Sequence, residues 1–123
     1  MPESKPHRQK SKYVVGTSGY SFADWVGGFY PPGTQSRDMF DVYVRHFSVV
    51  ELNFTYYRMP SARTLASLEN RSPGGFEFWV KANRKTTHEQ DRSVAGDFIE
   101  NLSPLREAGK LAGGLLQFPQ SFR

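Results

Sequence analysis

Glu51 and Asn53 stand two residues apart in VVELN (49–53), and Lys81 and Asn83 stand two apart in WVKAN (79–83). In an extended chain, residues two apart point to the same face. Each stretch therefore presents one charged side chain and one amide to a common side, late in a run of β-branched and aromatic residues. A carboxylate and an ammonium held near one another can do acid–base chemistry. Glu51 would act as general base, and Lys81 would stabilise a developing oxyanion or a phosphate. Lys81 could also form a Schiff base, though nothing in the sequence favours it. The same two residues could instead be a structural ion pair that only satisfies itself among packed side chains. Asn53, Asn83 and Gln117, the last from GGLLQFP (113–119), are the hydrogen-bonding groups that would orient a polar substrate. Their alternative use is to satisfy loop backbone.

Past the ends of these stretches lie Arg58, Arg84, Lys85 and His88, a locally basic group suited to a phosphate or carboxylate, or simply a solvated loop surface. Arg84 and His88 are the substrate-binding candidates among them. The stretch SGYSFADWVGGFYPPGTQ (18–35) adds Tyr20, Phe22, Trp25, Phe29 and Tyr30, an aromatic density suited to stacking on a sugar or base ring. Trp25 is the ligand candidate, whereas Phe29 and Tyr30, beside PPG, fit a hydrophobic plug that anchors the loop. GTSGYS has neither the Lys-Ser/Thr of a phosphate-binding Walker loop nor the spacing of a dinucleotide fingerprint. The histidines, His7, His46 and His88, lack metal-ligand spacing, so no metal site is assigned. Glu51 would still suit an all-oxygen magnesium or manganese site completed by residues from elsewhere. The cofactor is left unknown.

These residues need elements to position them. YVVGT (13–17) reads as a short strand. In SRDMFDVYVRHF (36–47), Met39, Phe40, Tyr43, Val44 and Phe47 fall at helical spacing, with Ser36 as N-cap and Asp38 in the first turn. VVELN is the second strand and FTYYRMP a loop. Ser61 then caps a second helix with Leu65 and Leu68 facing inward, which SPGG (72–75) ends. FEFWVKAN (76–83) is the third strand and RKTTHEQD its loop, followed by a helical region with Phe98, Ile99, Leu102 and Leu105. Pro104 inside a helix would cost about 3 kcal/mol, so it is predicted to open a separate short helix. Gly109 suits a helix C-terminus, and residues 113–119 form a fourth strand. The order βαβαβαβ implies parallel strands in an α/β sheet. All C-terminal strand ends then share one rim, where Thr17 or Ser18, Glu51, Asn53, Lys81, Asn83 and Gln117 would converge.

Composition bounds the rest. The 123 residues, 37% apolar and 15% aromatic, suit one globular domain. There is no cysteine, which removes disulfides and thiolate sites. With no apolar leader region and no apolar run near ~20 residues, the expectation is a soluble cytoplasmic protein without a membrane partner. The net charge is +4, but residues 1–12 carry +3 of it through Lys5, Arg8, Lys10 and Lys12 against Glu3. Residues 1–12 read as a basic flexible tail and 13–123 as the domain. The near-neutral domain argues against nucleic acid as its partner.

The segments GTSGY, GGFYPPG, FSVVELNFTYYRMP, PGGFEFWVKANRKTTHE and GGLLQFPQSF, in this order, resemble the YecE-like family, domain-of-unknown-function family 72. Most members have Trp where this chain has Tyr20. The resemblance implies a TIM-barrel-like fold and members about twice as long, so residues 13–123 would be the N-terminal half, strands one to four, ending just past strand four. The rim residues themselves, rather than the resemblance, are read as those of an ancestral enzyme acting on a small polar, phosphorylated or sugar-like substrate at the strand rim. The competing class is a non-catalytic binding or interaction protein, including a nucleic-acid binder through the basic tail and aromatic loop. A half-barrel would self-associate or pair with a C-terminal half.

Overall fold

Strands that alternate apolar and polar residues bury one face only, and the helices that follow them cover that face. The computed structural model describes residues 13–121; the tail assigned to residues 1–12 lies outside the described residues. The chain runs β1 (Thr17–Ser18), α1 (Ser36–Tyr43), β2 (Val49–Leu52), α2 (Phe54–Tyr57), α3 (Ala62–Arg71), β3 (Glu77–Lys81), α4 (Arg84–Thr87), α5 (Ala95–Asn101), α6 (Ser103–Glu107) and β4 (Leu111–Leu115). Single 3₁₀ turns occupy Ala23–Trp25 and Arg92–Val94. The four strands form one parallel sheet in the order β1-β2-β3-β4. No helix among the described residues is long and apolar enough to cross a membrane.

Val50 and Leu52 of β2 and Phe78 and Val80 of β3 point to one face and are buried with Phe40 and Tyr43 of α1, Leu65 and Leu68 of α3, and Phe98, Leu102 and Leu105 around α5 and α6. The opposite face carries Glu51, Trp79 and Lys81. Trp79 packs so closely over β4 that a Cβ on Gly113 would lie 2.5 Å from its ring, so any larger residue there would displace the indole. Ser61 accepts a hydrogen bond from the Thr64 amide at 3.1 Å, the expected N-cap of α3, a contact typically worth about 1 kcal/mol. Pro104 lies in the first turn of the separate helix α6, as predicted. Lys110 then anchors the entry to β4: its buried ammonium donates to the Ser72 and Glu69 carbonyls, each at 3.0 Å, and pairs with Glu69 Oε2 at 3.2 Å.

Strand length follows partners rather than composition. The expected strand 13–17 is reduced to Thr17–Ser18, because Thr17 pairs with Val50 and the bend at Ser48 leaves Tyr13, Val14 and Val15 without a neighbouring strand and exposed. Tyr43 compensates: its hydroxyl accepts from the Thr17 amide at 3.0 Å and donates to the Val49 carbonyl at 2.9 Å, fixing β1 to β2 and α1. The fourth strand is Leu111–Leu115, not 113–119, since β3 ends at Lys81 opposite Leu115. The two stretches read as loops, FTYYRMP and RKTTHEQD, begin with one-turn helices α2 and α4. Ser36 is the first residue of α1, and Gln35 is its N-cap, without a side-chain bond.

Candidate functional site

β1, β2 and β3 end at one rim, and the side chains there surround a cleft of about 440 Å³. Ser18 of β1 lies opposite Glu51 of β2, and Glu51 lies opposite Trp79, two residues before Lys81. The ladder continues past β1, with the Gly19 amide donating to the Glu51 carbonyl at 2.8 Å. Three polar side chains are linked in series: Asn53 Nδ2 donates to Ser18 Oγ, and Ser18 Oγ donates to Glu51 Oε1 at 2.5 Å. Such a short O–H···O⁻ contact is typical of a charge-assisted hydrogen bond. Among the described residues no partner engages Glu51 Oε2.

Lys81 lines the same cleft from β3 but does not pair with Glu51. The structural ion pair, one of the two readings of these residues, is not formed, because the Glu51 carboxylate is held by Ser18 and the Lys81 ammonium rests 4.5 Å from the centroid of the Tyr56 ring. No described carboxylate forms an ion pair with Lys81. Tyr56 is positioned by α2, which is tied to β3 through Thr55: its buried hydroxyl donates to the Lys81 carbonyl at 2.6 Å.

The other predicted site residues divide. Asn53 and Gln117 line the cleft, Gln117 from beyond the end of β4. Asn83 does not. It is buried, its Oδ1 accepts from the Lys85 amide at 3.1 Å and its Nδ2 donates to the Thr55 carbonyl at 3.0 Å, so it caps α4 and holds α2 in place. Arg84 forms a surface ion pair with Glu89 at 3.2 Å. His88 places its ring edge-on to Tyr56, centroids 5.2 Å apart, with Nδ1 3.0 Å from Thr87 Oγ1. Neither lines the cleft. Trp25 packs among Phe22, Phe29 and Tyr30, with centroids 4.7 to 5.7 Å away, and the aromatic wall of the cleft comes from Tyr20, Phe22, Phe54 and Tyr57 instead.

Beneath that wall, Tyr30 is fully buried and donates its hydroxyl to the Tyr20 carbonyl. Burial, with Tyr43 and Tyr20 nearby, pushes its phenol up to about 12. Burial likewise raises Tyr20, against the lowering effect of Arg71. Among the described residues no three His, Asp or Glu side chains gather as metal ligands. The site residue that sequence reasoning left undecided is Ser18, one of two choices at the end of β1. Its pairing opposite Glu51 settles the choice, and register is the signal that a single sequence does not carry.

Similar proteins fit this architecture. UPF0759 protein YunF of Bacillus subtilis is 32% identical over 116 residues, covering 88% of this chain and 40% of that protein. The crystal structure of a DUF72 family protein from Thermotoga maritima matches with a TM-score of 0.76 at 37% identity, over 89% of this chain and 45% of that one. A DUF72 family protein from Enterococcus faecalis matches with a TM-score of 0.69 at 25% identity, over 89% and 40%. The chain thus spans less than half the length of these relatives. Their fold is TIM-barrel-like, and the four parallel strands here are compatible with half of such a barrel. The family model described as "Protein of unknown function DUF72" matches residues 14–123, and the chain belongs to that family.

Proposed function

We propose that the rim cleft binds a small polar ligand, phosphorylated or sugar-like, and that in the barrel it is an enzyme site with Glu51 as general base and Lys81 as electrostatic stabiliser. The reading is carried by one observation: a carboxylate with an unengaged oxygen and an ammonium with no described anionic partner line one cleft without pairing. Opposite charges that serve structure alone are normally paired, and convergent polar groups in a partly aromatic cleft are typical of ligand sites. Asn53 and Gln117 supply orienting hydrogen bonds, and Phe22 and Tyr57 supply faces for a ring. The lack of cysteine suits a reducing compartment, and the cytoplasm is the proposed location.

The test is thermal unfolding of the chain against sugars, sugar phosphates and small carboxylates. A ligand at about 100 times its Kd stabilises the folded state by about 2.7 kcal/mol. The expected result is saturable stabilisation by at least one class, lost in Glu51→Gln and Lys81→Met while both variants still fold and unfold cooperatively. Silence across the panel, or an undiminished response in both variants, sinks the reading. The second reading, a non-catalytic interaction protein, rests on Trp79, which is 43% exposed on the open sheet face.

A further inference from the structure

We propose that Ser18 is the nucleophile of this cleft and Glu51 its base, in acyl transfer from a small polar ester. The proposal rests on the cleft being a reaction site and adds the reacting atom and the reaction class. A serine hydroxyl is a weak nucleophile unless a neighbouring base takes its proton. Here the single hydrogen of Ser18 Oγ points at Glu51 Oε1 over 2.5 Å, the contact that proton removal requires. Asn53 Nδ2 donates to the same Oγ, so the oxygen keeps a stabilising N–H as negative charge develops on it. Oγ has two acceptor positions, and Asn53 occupies one; Ser18 is exposed on the cleft with the other available to an electrophile.

The placement is set by strand register. Ser18 and Glu51 face each other across paired strands, and Asn53 follows β2 directly, so the backbone ladder rather than a loop sets the distance between nucleophile and base. Ser21 lines the same cleft with no described carboxylate partner, and it serves as an internal comparison.

In the reaction, an Oγ lone pair attacks the ester carbonyl carbon, the Oγ–H bond breaks and the proton passes to Glu51. The carbonyl electrons move onto oxygen, where the Lys81 ammonium stabilises them. As the carbonyl reforms, the bond to the leaving oxygen breaks, and that oxygen takes the bonding pair and the proton held by Glu51. Water then attacks the acyl-serine by the same steps, giving its proton through Glu51 to Ser18 Oγ and releasing a carboxylic acid.

The experiment is incubation of the whole chain with a fluorophosphonate, followed by intact-mass measurement and peptide mapping. In the labelling step the Oγ–P bond forms, the P–F bond breaks with its electron pair leaving as fluoride, and the proton goes to Glu51. The expected result is a single adduct on Ser18 and none on Ser21. Its rate should fall by roughly 10²-fold in Glu51→Gln, the low end of general-base contributions. Glu51→Asp, which keeps the carboxylate but withdraws it by one methylene, should fall between the two, and serves if the glutamine variant does not fold. Absence of label on Ser18, or labelling at the wild-type rate in a folded Glu51→Gln, overturns the proposal. If metabolites stabilise the chain while Ser18 stays unlabelled, this assignment falls and the ligand site stands; if Ser18 is labelled and no metabolite stabilises the chain, the reverse holds.

Discussion

Tyr56 holds the Lys81 ammonium 4.5 Å from its ring centroid, and the helical turn that carries Tyr56 is bonded to the strand that carries Lys81. The tyrosine therefore decides where the cation stands in the cleft. A cation over an aromatic face at a partly exposed position is worth about 0.5–1 kcal/mol, enough to bias the ammonium toward one position. Tyr56→Phe keeps the face and should leave urea stability unchanged. Tyr56→Leu should lose about that amount, and Lys81→Met in the leucine background should cost less than in wild type. A double-mutant cycle with zero coupling would show that the ring does not hold the lysine.

Asn83 and Asn53 are both amides two residues after a charged strand residue, yet they do different work. Asn83 is buried with both ends bonded to backbone, so Asn83→Ala leaves the Thr55 carbonyl and the Lys85 amide without their partner and should cost about 1–3 kcal/mol. Asn53→Ala removes one contact at the open cleft and should cost under about 1 kcal/mol. Equal losses in chemical denaturation would contradict the division between an amide that holds the scaffold and one that serves the cleft.

That division also marks how far the sequence could be read. Alternation in VVELN and EFWVK identified the buried faces, because Val50, Leu52, Phe78 and Val80 are apolar for a reason that depends only on the pleat. Ser61 and Pro104 were legible because capping and a missing N–H are local effects. Features decided by a distant partner were not. Val14 and Val15 have strand propensity but no neighbour to pair with, and residues 116–119 run past the end of β3. The one-turn helices α2 and α4 are shorter than any period can reveal. In the site, Glu51, Asn53, Lys81 and Gln117 reached the cleft because strand ends converge at one rim, whereas Trp25, Asn83, Arg84 and His88 found partners in other loops.

Tyr30 gives a pH dependence whose sign follows from burial. Its phenol stands at about 12 in the folded chain, against an ordinary value near 10. Between those values the unfolded chain has lost the proton and the folded chain keeps it, so the unfolded state binds fewer protons and stability falls as pH rises. The contribution is complete below pH 10 and is lost by about pH 12. Tyr30→Phe removes the ionisable group together with its hydrogen bond to the Tyr20 carbonyl. The variant should be less stable at neutral pH, and its thermal midpoint should fall less steeply than that of wild type above pH 10. Parallel slopes for the two proteins in that window would sink the assignment.

The open face of the sheet leads to an expectation about assembly. Trp79 is 43% exposed there, a second cleft of about 340 Å³ runs beside it between Val14 and Val49, and β1 and β4 are both edge strands. Edge strands offer unpaired backbone groups, and an apolar face beside them favours association. Burying about 400 Å² of apolar surface at ~25 cal/mol per Å² contributes roughly 10 kcal/mol, comparable with the ~4–15 kcal/mol that association costs in lost freedom. Paired edge strands and further contacts then tip the balance toward association. The chain on its own is therefore expected to sediment as a dimer or larger species at micromolar concentration, and Trp79→Glu, which places a charge at the centre of the face, should shift it toward monomer. A monodisperse wild-type monomer with cooperative thermal unfolding would mean that the helix-covered core alone sustains the fold and that the exposed face of Trp79 is not sticky enough to recruit a second surface.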